Sequence, residues 1–234
     1  MVEIVSLASG SSGNCYRLTD GSTPILLECG ISFKEIKRKL NFKTSEINAC
    51  FISHEHGDHA KAIKDVLKAG IDCYMSNGTK KALGITGHRV HVVQPKEQFQ
   101  VGTWTIVPFD TRHDAEEPLG FLLHSQVTGA KILFATDTYY IKYRFQGLTH
   151  IMVEANFALD IVDENVANGT IPKSLRDRLL YSHFELENVK KFFKANDLSK
   201  VEEIWLLHLS NDNSDEERFK REIQELTGKL VYIA

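Results

Sequence analysis

The stretch that decides the fold is His54-Glu55-His56-Gly57-Asp58-His59, which places three histidines and an aspartate within six residues. It follows an apolar run at 47–53, predicted as a strand, and precedes 60–69, where the spacing predicts an amphipathic helix. Side chains two residues apart at a strand end point the same way, and Gly57 lets the backbone turn tightly. Histidine nitrogens and carboxylates are ligands that zinc, manganese and iron prefer, so the stretch predicts a metal site.

Other polar residues end apolar runs further along the chain, where strands would deliver them to a sheet edge. Three of them complete the ligands of two metal ions, and they are His113, Asp137 and His208. His183 precedes a predicted helix, so it is either a group that acts on the substrate or an ordinary residue at a helix start. The histidines without partners in sequence are interpreted as structural, and they are His88, His91, His124 and His150.

Composition gives no sign of a nucleic-acid-binding or membrane protein as a whole. The 234 residues carry a formal net charge of −3, and no stretch approaches the ~18 apolar residues of a membrane span. The N-terminus lacks the charged and apolar regions of a signal peptide, so we expect a cytoplasmic protein. The cysteines form no CxxC pair and lie in or beside apolar runs, which favours buried free thiols; they are Cys15, Cys29, Cys50 and Cys73.

The order of predicted elements favours an α/β (α+β) protein. Short strands dominate the first half, with helices predicted at 32–40 and 60–69, and only strands and loops between 71 and 111. Residues 157–173 are polar and turn-rich, which predicts an insertion or cap loop. The later helices are predicted at 176–180, 186–195 and 215–226. No repeat or linker appears, so we expect one domain over 1–234, with two sheets packed face to face and helices outside.

The ordered set HxHxDH, lone histidine, strand-end aspartate and late histidine resembles the ligand signature of the metallo-β-lactamase superfamily over essentially the whole chain. The resemblance implies the αββα sandwich of the metallo-β-lactamase fold. It also implies a division of the ligands. One metal would be held by His54, His56 and His113, the second by Asp58, His59 and His208, and Asp137 would bridge the two.

Three segments outside the ligand set narrow the resemblance. They are the turn Leu7–Asn14, the run Val153–Asn156 with 178–187, and His208–Asn213. These segments resemble the YycJ/WalJ-like branch, including phage-encoded relatives, which is described as a group of metal-dependent exonucleases. One position departs from the family, because Glu28 stands where an aspartate beside the ligand loop is usual. We expect its longer side chain to rearrange the hydrogen bonds there and tune the site.

The predicted cofactor is a pair of divalent metal ions, zinc or manganese. Zinc binds such ligands more tightly, whereas the branch resemblance implies activity with manganese. Two cations about 3.5–4 Å apart can share a hydroxide and make it a nucleophile near neutral pH. We expect Asp58 to orient or deprotonate this water, and His183 to donate to a phosphate oxygen or to the leaving group.

The leading functional hypothesis is phosphodiester hydrolysis in nucleic acid, with DNA as the partner and an exonuclease as the closest description. Cations cluster at 34–39, 173–178 and 190–194, although each run is equally typical of a solvated helix face. One alternative is a small-molecule hydrolase acting on a phosphodiester, thioester or lactone, with 157–173 as its lid. Another is a non-catalytic binding module, which the complete ligand set disfavours.

Overall fold

Strands and helices follow one another along the whole chain in the computed structural model, which describes every residue from Met1 to Ala234. Backbone contacts divide the chain into two compact units. The first comprises Met1–Asp110 and Ala115–Ala130, and the second comprises Thr111–Asp114 and Lys131–Ala234. A single domain over 1–234 therefore stays a prediction. None of the helices has the length and apolar character that crossing a membrane requires.

The first unit contains nine short strands. They are β1 (Glu3–Ala8), β2 (Cys15–Thr19), β3 (Ile25–Leu27), β4 (Ala49–Phe51), β5 (Asp72–Met75), β6 (Val90–Val92), β7 (Phe99–Val101), β8 (Trp104–Asp110) and β9 (Leu119–Ser125). Strands β1 to β6 form one sheet in sequence order, antiparallel as far as β3 and parallel from β3 to β6. Strands β7 to β9 pair as an antiparallel ladder.

Short helices connect the strands of the first unit. They are α1 (Phe33–Lys39), α2 (Gly57–Ala60), α3 (Ile63–Lys68) and α4 (Asn77–Ala82), with a 3-10 turn at Thr44–Glu46. The predicted start of α1 is confirmed, because Ser32 accepts a hydrogen bond from the Glu35 amide and the Glu35 carboxylate accepts one from the Ser32 amide. This reciprocal capping satisfies two backbone donors that a helix start leaves unpaired.

An apolar core lies against the six-stranded sheet of the first unit. Its members include Leu26, Ile52 and Val66, each fully buried between the sheet and the helices. All four cysteines are buried and carry free thiols, which confirms the prediction from their spacing.

The second unit is built from parallel strands and longer helices. Its strands are β10 (Lys131–Ala135), β11 (His150–Glu154), β12 (Glu203–Leu207) and β13 (Leu230–Ile233), and its helices are α5 (Leu159–Ala167), α6 (Lys173–Ser182), α7 (Leu186–Ala195) and α8 (Glu216–Thr227). Each strand pairs in parallel with the next. The carboxyl ends of parallel strands meet at one edge of the sheet, which brings Asp137, Glu154 and His208 to the same edge.

The prediction of a cap loop at 157–173 is wrong, because α5 begins at Leu159 and α6 at Lys173. Helix α5 is stabilised by one buried face. Val162 packs with Phe157, Ile171 and Leu179 in a small core, and so few apolar positions are too weak a periodic signal in the sequence. The small-molecule alternative used 157–173 as a lid loop, but this segment contains α5 and the start of α6.

The helix predicted at 60–69 is also wrong in detail, because the chain forms α2 and α3 instead. In a continuous helix the Ala62 amide would donate to the Asp58 carbonyl. Here the Ala62 amide donates to the Cys29 carbonyl instead, and the Asp58 carbonyl accepts from the Asn14 amide. Residues 71–111 were predicted without a helix, yet α4 forms there. Its residues lack an apolar stripe, and its start depends on the Ser76 hydroxyl accepting from the Thr79 amide.

Candidate metal centre

Three histidines of the first unit gather just after β4. The ring of His54 lies with its centroid 4.6 Å from that of His56 and 4.2 Å from that of His59. His54 is fully buried, and its Nδ1 lies 2.8 Å from the Ser53 hydroxyl. A hydrogen bond at Nδ1 orients the ring and leaves Nε2 as the atom for a metal.

Helix α2 presents the carboxylate of the stretch, and a close backbone contact holds it in place. Asp58 lies in the first turn of α2, and its Oδ2 is 3.4 Å from Nε2 of His59. The Asp58 carbonyl accepts a hydrogen bond of 2.7 Å from the Asn14 amide. A Cβ at Gly30 would lie 1.6 Å from that carbonyl oxygen, so only glycine fits there. The turn 7–14, one of the segments that carry the branch resemblance, therefore helps to position the stretch 54–59.

Glu28, the departure from the family pattern, reaches this group of residues. It is fully buried, and its carboxylate accepts from the Ser53 amide at 3.0 Å. Its Oε2 lies 3.7 Å from Nδ1 of His59. Burial raises the pKa of Glu28, while His59 and Ser53 act in the opposite direction. A carboxylate behind a histidine orients the ring and increases its basicity. That Glu28 tunes the site stays a prediction.

Asp137 occupies the centre of the polar group in the second unit. It follows β10 and is held with a φ of 44°, a conformation that aspartate and asparagine tolerate better than most residues. Its Oδ2 lies 3.5 Å from Nε2 of His113, and its Oδ1 lies 3.7 Å from Nε2 of His208. Each oxygen of one carboxylate therefore faces a different histidine.

His113, beside Asp137, is held in the form that can bind a metal through Nε2. Nδ1 of His113 donates to the Ser182 carbonyl at 2.7 Å, so its Nε2 carries the lone pair. Burial lowers the pKa of His113, although Asp137 opposes this shift. Nδ1 of His208 lies 3.0 Å from the side-chain amide of Asn156. Neutral imidazole is the form that binds a metal ion.

Glu154 is a site residue that the sequence did not reveal as one. It is fully buried at the end of β11, and its Oε1 lies 2.6 Å from Nδ1 of His183. Its Oε2 accepts from the amides of Thr138 and Phe184, at 2.8 and 3.1 Å. Burial disfavours the charged form of His183, but Glu154 and Asp137 outweigh it and raise its pKa to about 9. The branch motif Val153–Asn156 was the signal that could have identified Glu154.

The second unit gathers donor atoms of the kinds that divalent cations bind. Asp137, Glu154, His183 and His208 each offer one ligand atom, and these atoms lie within 4.8 Å of one another. Within each unit the structure brings the predicted residues together. The first unit gathers His54, His56, Asp58 and His59, and the second gathers His113, Asp137, His183 and His208.

The fold and the site define a hydrolase of the metallo-β-lactamase fold, and the comparisons with known proteins give its family. Residues 23–171 match the family described as the beta-lactamase superfamily domain, and the chain belongs to that family. The chain is 28% identical over 228 residues to the exodeoxyribonuclease WalJ of Streptococcus pneumoniae strain D39, covering 90% of this chain and 82% of that protein. This match supports the YycJ/WalJ-like branch.

Solved structures confirm the predicted fold class of two sheets flanked by helices. YhfI of Bacillus subtilis, a metallo-β-lactamase fold protein, matches with a TM-score of 0.72 and 14% identity, covering 100% of this chain and 97% of that one. Igni18 of Ignicoccus hospitalis, a metallo hydrolase, matches with a TM-score of 0.70 and 13% identity, covering 100% and 95%. At these identities the likeness concerns the fold alone.

Proposed function

We propose that this protein is a metal-dependent phosphodiesterase that degrades DNA as an exonuclease and uses two divalent metal ions. One observation carries the two-metal part of the proposal. The two oxygens of Asp137 face different histidines, at 3.5 and 3.7 Å, which is the arrangement expected of a carboxylate that bridges two cations. The match to an exodeoxyribonuclease over 90% of the chain supports DNA as the substrate.

The proposed ligands follow the family pattern. In that pattern His54, His56 and His113 would hold one ion, Asp58, His59 and His208 would hold the second, and Asp137 would be shared by the two. Zinc and manganese both suit nitrogen and carboxylate donors. No cysteine belongs to the set, which removes the bias toward zinc that thiolates introduce.

The residues of the chain divide the proposed chemistry among them. When bound, two divalent cations activate a water molecule near neutral pH and neutralise the charge that develops on a phosphoryl group. Asp58 orients the attacking water and accepts its proton. His183 donates a hydrogen bond to a non-bridging phosphate oxygen or to the leaving group. Glu154, 2.6 Å from Nδ1 of His183, keeps that ring protonated and fixed.

Some of the cations counted from the sequence have partners that reduce their value for DNA binding. Arg176 pairs with Asp163, Arg178 pairs with Asp114, and Lys190 pairs with Glu187 and Glu222. These ion pairs neutralise part of the positive charge within the chain and leave less of it for phosphate groups. Among the cations at 34–39, which lie on α1, Lys37 contacts an aromatic ring, since its Nζ lies 5.4 Å from the centroid of Phe33.

The test of the proposed function is digestion of end-labelled nucleic acid. Metal-reconstituted protein should shorten single- or double-stranded DNA from its ends, and EDTA should abolish the reaction. Because phosphate contacts release counterions, DNA binding should weaken at least about tenfold between about 50 and about 200 mM salt. The same reactions with RNA and with a chromogenic small diester are run in parallel, each with zinc and with manganese. Faster cleavage of the small diester than of DNA would refute the proposal.

A second prediction concerns His183. His183→Ala should lower the kcat for DNA cleavage about 10²- to 10⁴-fold, the usual contribution of a general acid or base. Bound metal, measured by elemental analysis, should stay at the wild-type stoichiometry, because His183 is proposed to act on the substrate. Loss of one metal equivalent would instead make His183 a ligand, as its place beside Asp137 and His208 also permits.

A further inference from the structure

The second unit contains a cavity of about 220 Å³ between the segment 140–144 and helix α7. Three cations line it, Lys142, Arg144 and Lys191, and no carboxylate does. Two aromatic rings, Tyr140 and Tyr143, form part of the same wall. This combination of cations and flat rings selects a ligand that carries both negative charge and an aromatic face.

The walls of this cavity are fixed to the candidate metal centre through Glu154. The segment 138–145 directly follows Asp137, and its Thr138 amide donates to Glu154. Phe184 also lines the cavity, directly follows His183, and donates its amide to the same carboxylate. Residues of the cavity wall are therefore tied by hydrogen bonds to the carboxylate that holds His183.

Hydrogen bonds connect residues in and beside the walls of this cavity. The Phe145 amide donates to the side-chain carbonyl of Asn196 at 2.8 Å, which ties the end of the segment to the end of α7. Lys191 donates to Asn188 at 3.2 Å on the same helix. Tyr140 remains 55% exposed, so a face of its ring is accessible to a ligand.

We infer that this cavity is a nucleotide subsite that holds one nucleotide of a single-stranded DNA substrate. Arg144 and Lys191 bind a backbone phosphate, and Tyr140 stacks on the base. The inference rests on the proposed nuclease function and assigns a part of its substrate path. Stacking on an aromatic ring tolerates any base, which suits an enzyme that degrades a strand without regard to sequence.

The experiment measures binding of a fluorescent oligothymidylate of fifteen nucleotides to the full chain. EDTA is present to remove divalent metal ions, so that the strand is not cut. Tyr140→Ala and Arg144→Ala should each weaken binding about tenfold, as expected when one stacking or phosphate contact is lost. Tyr140→Phe keeps the ring and should bind like the wild type. Arg221→Ala removes an exposed arginine of α8 that does not line the cavity, and it should also bind like the wild type.

The outcomes separate this inference from the proposed function. Equal affinity of the wild type, Tyr140→Ala and Arg144→Ala would overturn the subsite, even if DNA were degraded. An equal loss in Arg221→Ala and Arg144→Ala would overturn it too, because binding would then follow general charge. A chain that binds the oligonucleotide through Tyr140 and Arg144 but cuts no DNA would support the subsite and refute the nuclease function.

Discussion

Asp137→Asn should slow DNA hydrolysis about a thousandfold and leave the fold intact. Asparagine has nearly the shape of aspartate and tolerates the φ of 44° at this position, so the substitution removes mainly the negative charge. That charge is the one proposed to be shared by two cations, so losing it should cost about 4 kcal/mol of transition-state stabilisation. The value of kcat/KM for DNA should therefore fall about a thousandfold.

The measurement pairs DNA cleavage with metal content and thermal unfolding. Asp65→Asn is the matched control, because Asp65 is an exposed aspartate of α3 that takes no part in the proposed site. It should cleave DNA and bind metal like the wild type. If Asp137→Asn kept activity within tenfold of the wild type at full metal occupancy, a bridging role for Asp137 would be untenable.

The ligand candidates could be read from the sequence because each ends an apolar run. Strands are short, buried and apolar, so a polar side chain directly after one marks a sheet edge. Asp137 follows β10 and His208 follows β12 in this way, and the parallel order of β10, β11 and β12 puts both at one edge. The same reasoning points to Glu154 at the end of β11, but a lone glutamate in an apolar run carries no ligand pattern.

The supporting residues were harder to predict, because their roles depend on contacts distant in sequence. Asn14 reaches the Asp58 carbonyl from 44 residues away, and Asn156 reaches His208 from 52 residues away. Both lie in segments recognised by resemblance, so their importance was visible without a mechanism. The division of 60–69 into α2 and α3 has the same origin, since the Asn14 amide takes the carbonyl that a continuous helix would use.

Backbone strain at the site is the feature that no sequence pattern indicated. Glu28, Asp137 and His208 are all held at positive φ, between 44° and 65°. Such conformations cost about 1 kcal/mol or more for residues other than glycine, and they persist where the surrounding structure fixes them. In each case the strained residue turns a side chain at a strand end toward neighbouring histidines. The strained backbone therefore orients two proposed ligands, Asp137 and His208, and the carboxylate of Glu28 beside His59.

Glu154→Ala is the substitution expected to damage stability most. The carboxylate is fully buried and accepts from Nδ1 of His183 and from the amides of Thr138 and Phe184. Removing one partner of a buried charged pair costs about 3–5 kcal/mol, because the other charge and the freed donors stay buried. For a chain of this size the melting temperature should fall by about 10 °C.

The size of this effect distinguishes a structural carboxylate from an ordinary one. Glu202→Ala removes an exposed glutamate just before β12, and a surface change of that kind should stay within about 0.5 kcal/mol of the wild type. Glu154→Gln should lie between the two, since one amide oxygen can still accept from Thr138 and Phe184 while the pairing with charged His183 is lost. Thermal unfolding of the three variants in EDTA excludes any contribution from metal binding. If Glu154→Ala and Glu202→Ala had the same melting temperature, the hydrogen bonds to Glu154 would contribute nothing to stability. The fixed position of His183 would then need another explanation.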